Sequence, residues 1–254
     1  MTRTFPTIAV AAALVMSAAS PLAAQSFNDS QRGEIEKIVK EYLLAHPEVL
    51  QEAMGEFEKR QIAAEAEKHK AALKQHGQAL FTSTHQVTLG NPQGDVTLVE
   101  FFDYNCGYCK RAMADMLDLL QNDAKLKFVL KEFPVLGEGS VQAAQVAAAA
   151  RMQDKGGKKY LEFHQKLLGG RGTADKTRAL AVAKEVGFDM ARIEKDMTSD
   201  EVKAQLEESF KLAEALGLNG TPSYVVGNDV VVGAVGLNTL KEKVNSARCG
   251  KAAC

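Results

Sequence analysis

From Asp29 to about Phe81 the chain interleaves charge with apolar residues at helical spacing. Ile35, Ile38, Val39, Tyr42 and Leu43 recur at intervals that place them on one helix face. Pro47, in AHPEV, breaks that helix and suits the first turn of the next. The second helix carries a stripe of Val49, Leu50, Ala53, Met54, Phe57 and Ile62, which thins into a stretch rich in Glu, Lys and Ala before Gly77. Two helices bury such stripes poorly alone. They predict a self-association arm in which stripes from several chains pack together, although the repeat is not a strict heptad. An arm folded onto its own domain and a solvated spacer are the alternatives.

The period then changes. LGNPQGD (Leu89 to Asp95) has turn chemistry, and VTLVEFFDY is dense in β-branched and aromatic residues, which predicts a buried strand over residues 96–103. A helix follows from Cys106 (CKRAMADMLDLL), then KLKFVLKEFPV as a second strand ending at Pro134. Strand, helix and strand with short connections make the parallel crossover of an α/β sheet. From Gly137 to about Gly217 the pattern is helical, and Val202, Leu206, Phe210 and Ala213 share a face, so this stretch predicts a packed helical insertion. TPSYVVG, a Gly-Asn-Asp turn and VVVGAV read as an antiparallel hairpin, and LNTLKEKVNSA as a closing helix. The expected organisation is a signal segment over 1–24, a helical arm over 25–84 and an α/β domain over 85–254 with its insertion at about 137–217.

The first residues address the compartment. Arg3 is a positive n-region, Ile8 to Met16 is an apolar h-region, and SAASPLAAQS offers a cleavage point after Ala24. A membrane anchor is the alternative, but Ser17, Ser20 and Pro21 interrupt the apolar run before the roughly 20 residues a span requires. An exported, periplasmic protein is expected. The 254 residues include 31 basic and 32 acidic ones, a net charge of -1, which gives no global attraction for nucleic acid or acidic lipid. Function is therefore sought in a site.

Cys106-Gly107-Tyr108-Cys109 is the leading candidate, although C-x-x-C suits a metal clamp, a staple or a reagent. At a strand-to-helix corner, Cys106 meets unpaired N–H groups and the positive end of the helix dipole, both of which stabilise a thiolate. Cys109 lies on the same side of the first turn and can resolve a mixed disulfide formed at Cys106. A zinc site needs two more ligands. Cys249 and Cys254 lie at the far C-terminus, and His69 and His76 on the arm, so no metal site and no cofactor beyond a Cys106–Cys109 redox disulfide are expected. Cys249 and Cys254 suit a small-loop disulfide, with a copper-binding or relay pair as the alternative.

Glu100 sits in an otherwise apolar strand, where burial would raise its pKa and let it exchange a proton with the thiols; a solvent-facing strand position is the competing reading. Lys131, ending the next strand, is placed to pair with that carboxyl or to lie at the surface. Gly220-Thr221-Pro222 opens a strand, where a cis bond would offer the Thr221 backbone to a bound polypeptide; the sequence leaves the isomer open.

FFDYNCGYC, the strand ending KEFPVLG, and NGTPSYVVG, in this order around an inserted helical stretch, resemble the thioredoxin-fold disulfide oxidoreductases of the bacterial envelope, the DsbA and DsbC class. The helical arm resembles that of the ScsC-type branch, the suppressor-of-copper-sensitivity proteins, and the likeness extends over roughly residues 29–247. The resemblance implies a thioredoxin-like fold with Cys106 as nucleophile, Cys109 as resolving thiol, Glu100 as buried acid, Lys131 as its neighbour and Thr221-Pro222 as a cis-proline substrate contact. Pro-His between the cysteines typifies the strongly oxidising members, whereas Gly107-Tyr108 and a threonine before the proline are isomerase-like. Isomerisation or reduction of disulfides in unfolded or misoxidised envelope proteins is therefore expected ahead of oxidation. A membrane thiol reductase or oxidase partner and a homo-oligomer formed by the arm complete this reading. A DsbA-like dithiol oxidase and a copper-binding, copper-tolerance protein are the competing functions.

Overall fold

The computed structural model describes residues 27–154 and 156–254, so the expected signal segment, 1–24, lies outside the described residues. The chain divides into two compact units, and the division falls between Glu58 and Lys59.

In the first unit, helix α1 (Asp29–Ala45) opens on a capping box: Asn28 Oδ1 accepts from the Gln31 N–H at 2.9 Å, and Gln31 Oε1 accepts from the Asn28 N–H at 3.0 Å. The helix ends before His46 and Pro47, and α2 (Glu48–Phe81) begins immediately after. Within a single chain α1 buries no residue, and Ile38, Met54 and Phe57 each expose more than half their surface.

Helix α2 runs through Gly77, where the sequence pattern thins, and reaches Phe81. Its last turns belong to the second unit: Ala72, Leu73 and Leu80 are buried there, beneath Val99, Phe101 and Val129. That packing outweighs the cost of about 1 kcal/mol for an interior glycine. Residues 25–84 therefore do not form one uniform arm, since their C-terminal part builds the domain core.

The sheet of the second unit has the order β1-β3-β2-β4-β5. It comprises β1 (Val87–Gly90), β2 (Val96–Phe102), β3 (Leu126–Glu132), β4 (Ser223–Val226) and β5 (Asp229–Val232). β2 and β3 run parallel through the crossover helix α3 (Gly107–Asn122), while every other pair is antiparallel. β1 occupies an edge where the sequence shows turn chemistry; four residues are too few for a period to register, and pairing with β3 defines the strand. Between β3 and β4 lie α4 (Glu138–Gln153), α5 (Lys158–Gly169), α6 (Lys176–Val186), α7 (Met190–Asp196) and α8 (Asp200–Ala215), and α9 (Leu237–Cys249) follows β5.

Strand alternation separates two cores. Leu98, Phe102, Phe128 and Leu130 face a large cluster with α3, α4 and α5, while Val99, Phe101 and Val129 face a smaller one built by α2 and α8. Ala143, Ala144, Ala147, Ala148 and Ala150 are buried around much of α4, so neighbouring helices approach it closely. This places a rigid helical layer beside the β2–α3 corner.

Leu80→Ala should cost about 2–5 kcal/mol, as expected for a buried leucine. Chemical denaturation of the reduced protein measures it, and a loss below 1 kcal/mol would contradict the assignment of the last turns of α2 to the domain core.

Candidate functional site

The corner is held by Asp103, just past β2. Its buried carboxylate accepts from the Asn105 N–H at 2.7 Å, the Ser140 hydroxyl at 2.7 Å, and the Val135 and Leu136 N–H groups at 2.8 and 2.9 Å. Asn105 extends the clamp: its amide donates to Ser140 Oγ and the Ala174 carbonyl, and its Oδ1 accepts from the Ala174 N–H. The next residue, Cys106, is the N-cap of α3.

Cys106 Sγ accepts from the Cys109 N–H at 3.2 Å and, as a thiol, donates to the Thr221 carbonyl at 3.1 Å. Hydrogen bonding from the Cys109 side chain, aided by the Thr221 side chain and the Cys109 and Tyr108 backbone, lowers the Cys106 pKa from 9.0 to about 5 against the opposing effect of burial. Cys109 is fully buried, and burial, its hydrogen bond to Cys106 and the charge of Glu100 all push its thiol up. Two thiols three residues apart are thus chemically unequal: Cys106 is a thiolate at neutral pH and Cys109 holds its proton.

Glu100 lies on the same face of β2 as Leu98 and Phe102, buried rather than open to solvent. Burial, then the charges of Cys106 and Asp115, raise its pKa from 4.5 to about 8, while a hydrogen bond with Tyr224 works in the opposite direction. Tyr224 stands opposite Glu100 in the antiparallel β2–β4 register. Its own hydroxyl is pushed up by burial and by Glu100. The 221–222 peptide bond is cis, and its threonine carbonyl is the one facing Cys106. Gly107 opens α3, with open space where a Cβ would stand, and the exposed Tyr108 ring lies 4.3 Å from the Arg111 guanidinium.

Lys131 is not in this group. Parallel register sets it beside Phe101, so period-two alternation turns it to the sheet face opposite Glu100, where its buried ammonium bonds Glu208 at 3.0 Å. The expected pairing with Glu100 is corrected accordingly. Sequence reasoning also missed Asp103, Asn105, Asp115 and Tyr224. Tyr224 was within reach through its position two residues after Pro222 at the start of a strand, whereas the others are defined by contacts between distant segments. Cys249 and Cys254 form a disulfide, and among the described residues no cluster of three or more His, Cys, Asp or Glu side chains could hold a metal.

The profile of DSBA-like thioredoxin domains matches residues 97–245, more than half the chain and all of this site. The chain belongs to the DSBA-like thioredoxin family. Residues 31–64 match the N-terminal domain of the copper resistance protein ScsC. A thioredoxin-like oxidoreductase from Silicibacter pomeroyi is 47% identical, with 67% of this chain and 96% of that one aligned at a TM-score of 0.64. The thiol-disulfide exchange protein alpha-DsbA2 from Wolbachia pipientis is 31% identical over 72% of this chain and 97% of that one, with a TM-score of 0.66. ScsC from Proteus mirabilis, in a transitional conformation, is 26% identical over 89% of this chain and 98% of that one, with a TM-score of 0.64. The similarity also reaches longer proteins: the chain is 24% identical to a Na(+)/H(+) antiporter NhaA of Salinispora arenicola over 63% of its own length, and spans only 24% of that protein. No described helix of this chain is long and apolar enough to cross a membrane.

The two buried acids make opposite contributions to stability. The depressed Cys106 value, about 5 against 9.0, stabilises the reduced fold above the free-thiol value, and that contribution is lost as pH falls through 5. The raised Glu100 value, about 8 against 4.5, stabilises the fold below 4.5 and is lost as pH rises through 8. Thiolate absorbance of the reduced protein should therefore titrate near pH 5, and iodoacetamide at about pH 6 should label Cys106 and spare Cys109. A midpoint near 9, as for a free thiol, would overturn the activation of Cys106.

Proposed function

We infer that the protein is an exported thiol-disulfide oxidoreductase that isomerises or reduces disulfides in unfolded or misoxidised polypeptides of the periplasm. The observation that carries this reading is the contrast between an activated Cys106 sulfur facing Thr221 and a buried, protonated Cys109 directly behind it.

The Cys106 thiolate attacks one sulfur of a substrate disulfide, forms a mixed disulfide and expels a substrate thiolate, which takes up a proton. In reduction, Cys109 loses its proton, attacks Cys106 Sγ and releases the second substrate thiol; the Cys106–Cys109 disulfide then holds the two oxidising equivalents until a membrane thiol reductase returns two electrons. In isomerisation, another substrate thiolate displaces Cys106 instead, with no net electron transfer. Glu100 is suited to take the Cys109 proton, because its pKa of about 8 keeps it near neutral pH in both its acid and base forms. Thr221 and Pro222 bound the nucleophile on the side where a polypeptide would pair.

The donors to Cys106 are thiol, hydroxyl and backbone groups with no cation among them, which yields a thiolate pKa between the roughly 7 of thioredoxin and 3.5 of DsbA. An intermediate value supports a disulfide that is both made and broken. A dithiol oxidase is the second reading, because any stabilised thiolate favours the reduced form and makes the disulfide more oxidising. The exposed apolar faces of α1 and early α2, together with the ScsC N-terminal match, support a homo-oligomer assembled through the arm, and several sites on one assembly would retain a misfolded substrate.

The mature protein in glutathione buffer should restore activity to a scrambled, multi-disulfide enzyme, and Cys106→Ser should abolish that recovery. Rapid oxidation of a reduced substrate with no recovery of the scrambled one would select the oxidase reading. Light scattering should give a mass above that of one chain, falling to a single chain in Met54→Glu/Phe57→Glu; a monomeric parent would remove the arm's proposed role.

A further inference from the structure

Beside Cys106 lies a cleft of about 250 Å³ whose cationic and apolar lining is not used by the exchange chemistry. Cys106 and Gly107 form one wall, Leu167 and Leu168 from the end of α5 line it, and the Gly170 to Gly172 loop closes the other side. Two cations, Lys110 on α3 and Arg171 on the loop, line it together, and none of its lining residues is acidic.

The cations are held differently. Lys110 Nζ donates to the Gly170 carbonyl at 2.6 Å, which fixes the ammonium across the cleft and leaves it two further donors. The Arg171 backbone is held by Arg178, whose guanidinium donates to the carbonyls of Arg171 and Gly172. The Arg171 side chain itself is exposed and makes no ion pair among the described residues, so all five of its N–H donors are open to an incoming group. A fork of donors and a point charge on an apolar base, next to a nucleophilic sulfur, match a carboxylate on a short side chain or chain end.

We propose that this cleft is a carboxylate-binding subsite, through which the protein prefers disulfides whose cysteine is flanked by an acidic group. The inference rests on the exchange function above and names its substrate class. An acidic flank would otherwise be repelled by the Cys106 thiolate; Lys110 and Arg171 offset that repulsion and raise the local concentration of the substrate. The subsite binds and orients only. The electrons still pass from the Cys106 and Cys109 thiols to the substrate disulfide, and the departing thiolate still takes its proton from water.

The test uses the full reduced chain and three disulfide-linked peptides that differ only in Glu, Gln or Lys beside the cysteine, read by release of a quenched fluorophore. At low salt the second-order rate constant for a single turnover of the reduced chain should be about tenfold higher for the Glu than for the Lys peptide, mostly through tighter binding, and the ratio should approach one as salt rises. Lys110→Gln/Arg171→Gln should erase the ratio, while Lys243→Gln, outside the cleft, should preserve it. Oxidised glutathione compared with the uncharged hydroxyethyl disulfide identifies the source of the carboxylate: a preference for glutathione extends the subsite to small thiols, and a preference confined to peptides assigns it to polypeptides. Equal rates for all three peptides in the parent protein would overturn the subsite while leaving exchange intact. Failure to reduce any of them would overturn the exchange function instead.

Discussion

The site depends on the hydrogen bonds that converge on Asp103. A buried carboxylate must be satisfied, and this one is satisfied by groups from three separate parts of the chain: its own loop, the segment after β3 and the start of α4. Those bonds turn the backbone sharply at the end of β2, so that Cys106 occupies the N-cap of α3 instead of continuing the strand. Asn105 adds a second connection, to the loop before α6. The helical insertion therefore supports the geometry of the nucleophile, and the corner is as rigid as the packing of its alanine-rich helix α4.

Within that frame, position sets chemistry. Cys106 receives hydrogen bonds at a helix N-terminus and ionises readily; Cys109, one turn on, faces the core and does not. Glu100 and Tyr224 lie beneath them on neighbouring strands, and the thiolate charge itself helps hold the carboxyl neutral. The protonation of each of these groups thus depends on the charge of the others in a poorly solvated space. A separate buried network on the same side of the sheet serves packing: Glu132 accepts from Tyr160 and Gln205, Tyr160 meets Tyr104, and His164, kept neutral by burial with a pKa near 3, packs against Phe102. It joins β3 to α5 and α8.

The surface of the first unit follows another logic. Helix α1 is capped at its N-terminus yet buries nothing within one chain, and Met54 and Phe57 on early α2 are exposed, so packing within the chain contributes little to this unit's helices. The second unit is self-sufficient, with two cores on opposite faces of one sheet.

Much of this was legible along the chain. Helical spacing revealed α1 and α2, the dense β-branched and aromatic run revealed β2, and the break at Cys106-Gly107-Tyr108-Cys109 marked the reactive corner, because these signals are local and each has its own period. Strand β1 was too short to show a period. The fates of the two charged residues in neighbouring strands could not be separated either, since a charge in an apolar strand looks the same whichever face it occupies. Sequence alone determined which residues could become a thiolate and its resolving partner, because a strand-to-helix break and a three-residue spacing are local properties. Only the tertiary structure decided that Glu100 lies beneath that pair while Lys131 faces Glu208, because parallel register and alternation place neighbouring strand residues on opposite sides of the sheet.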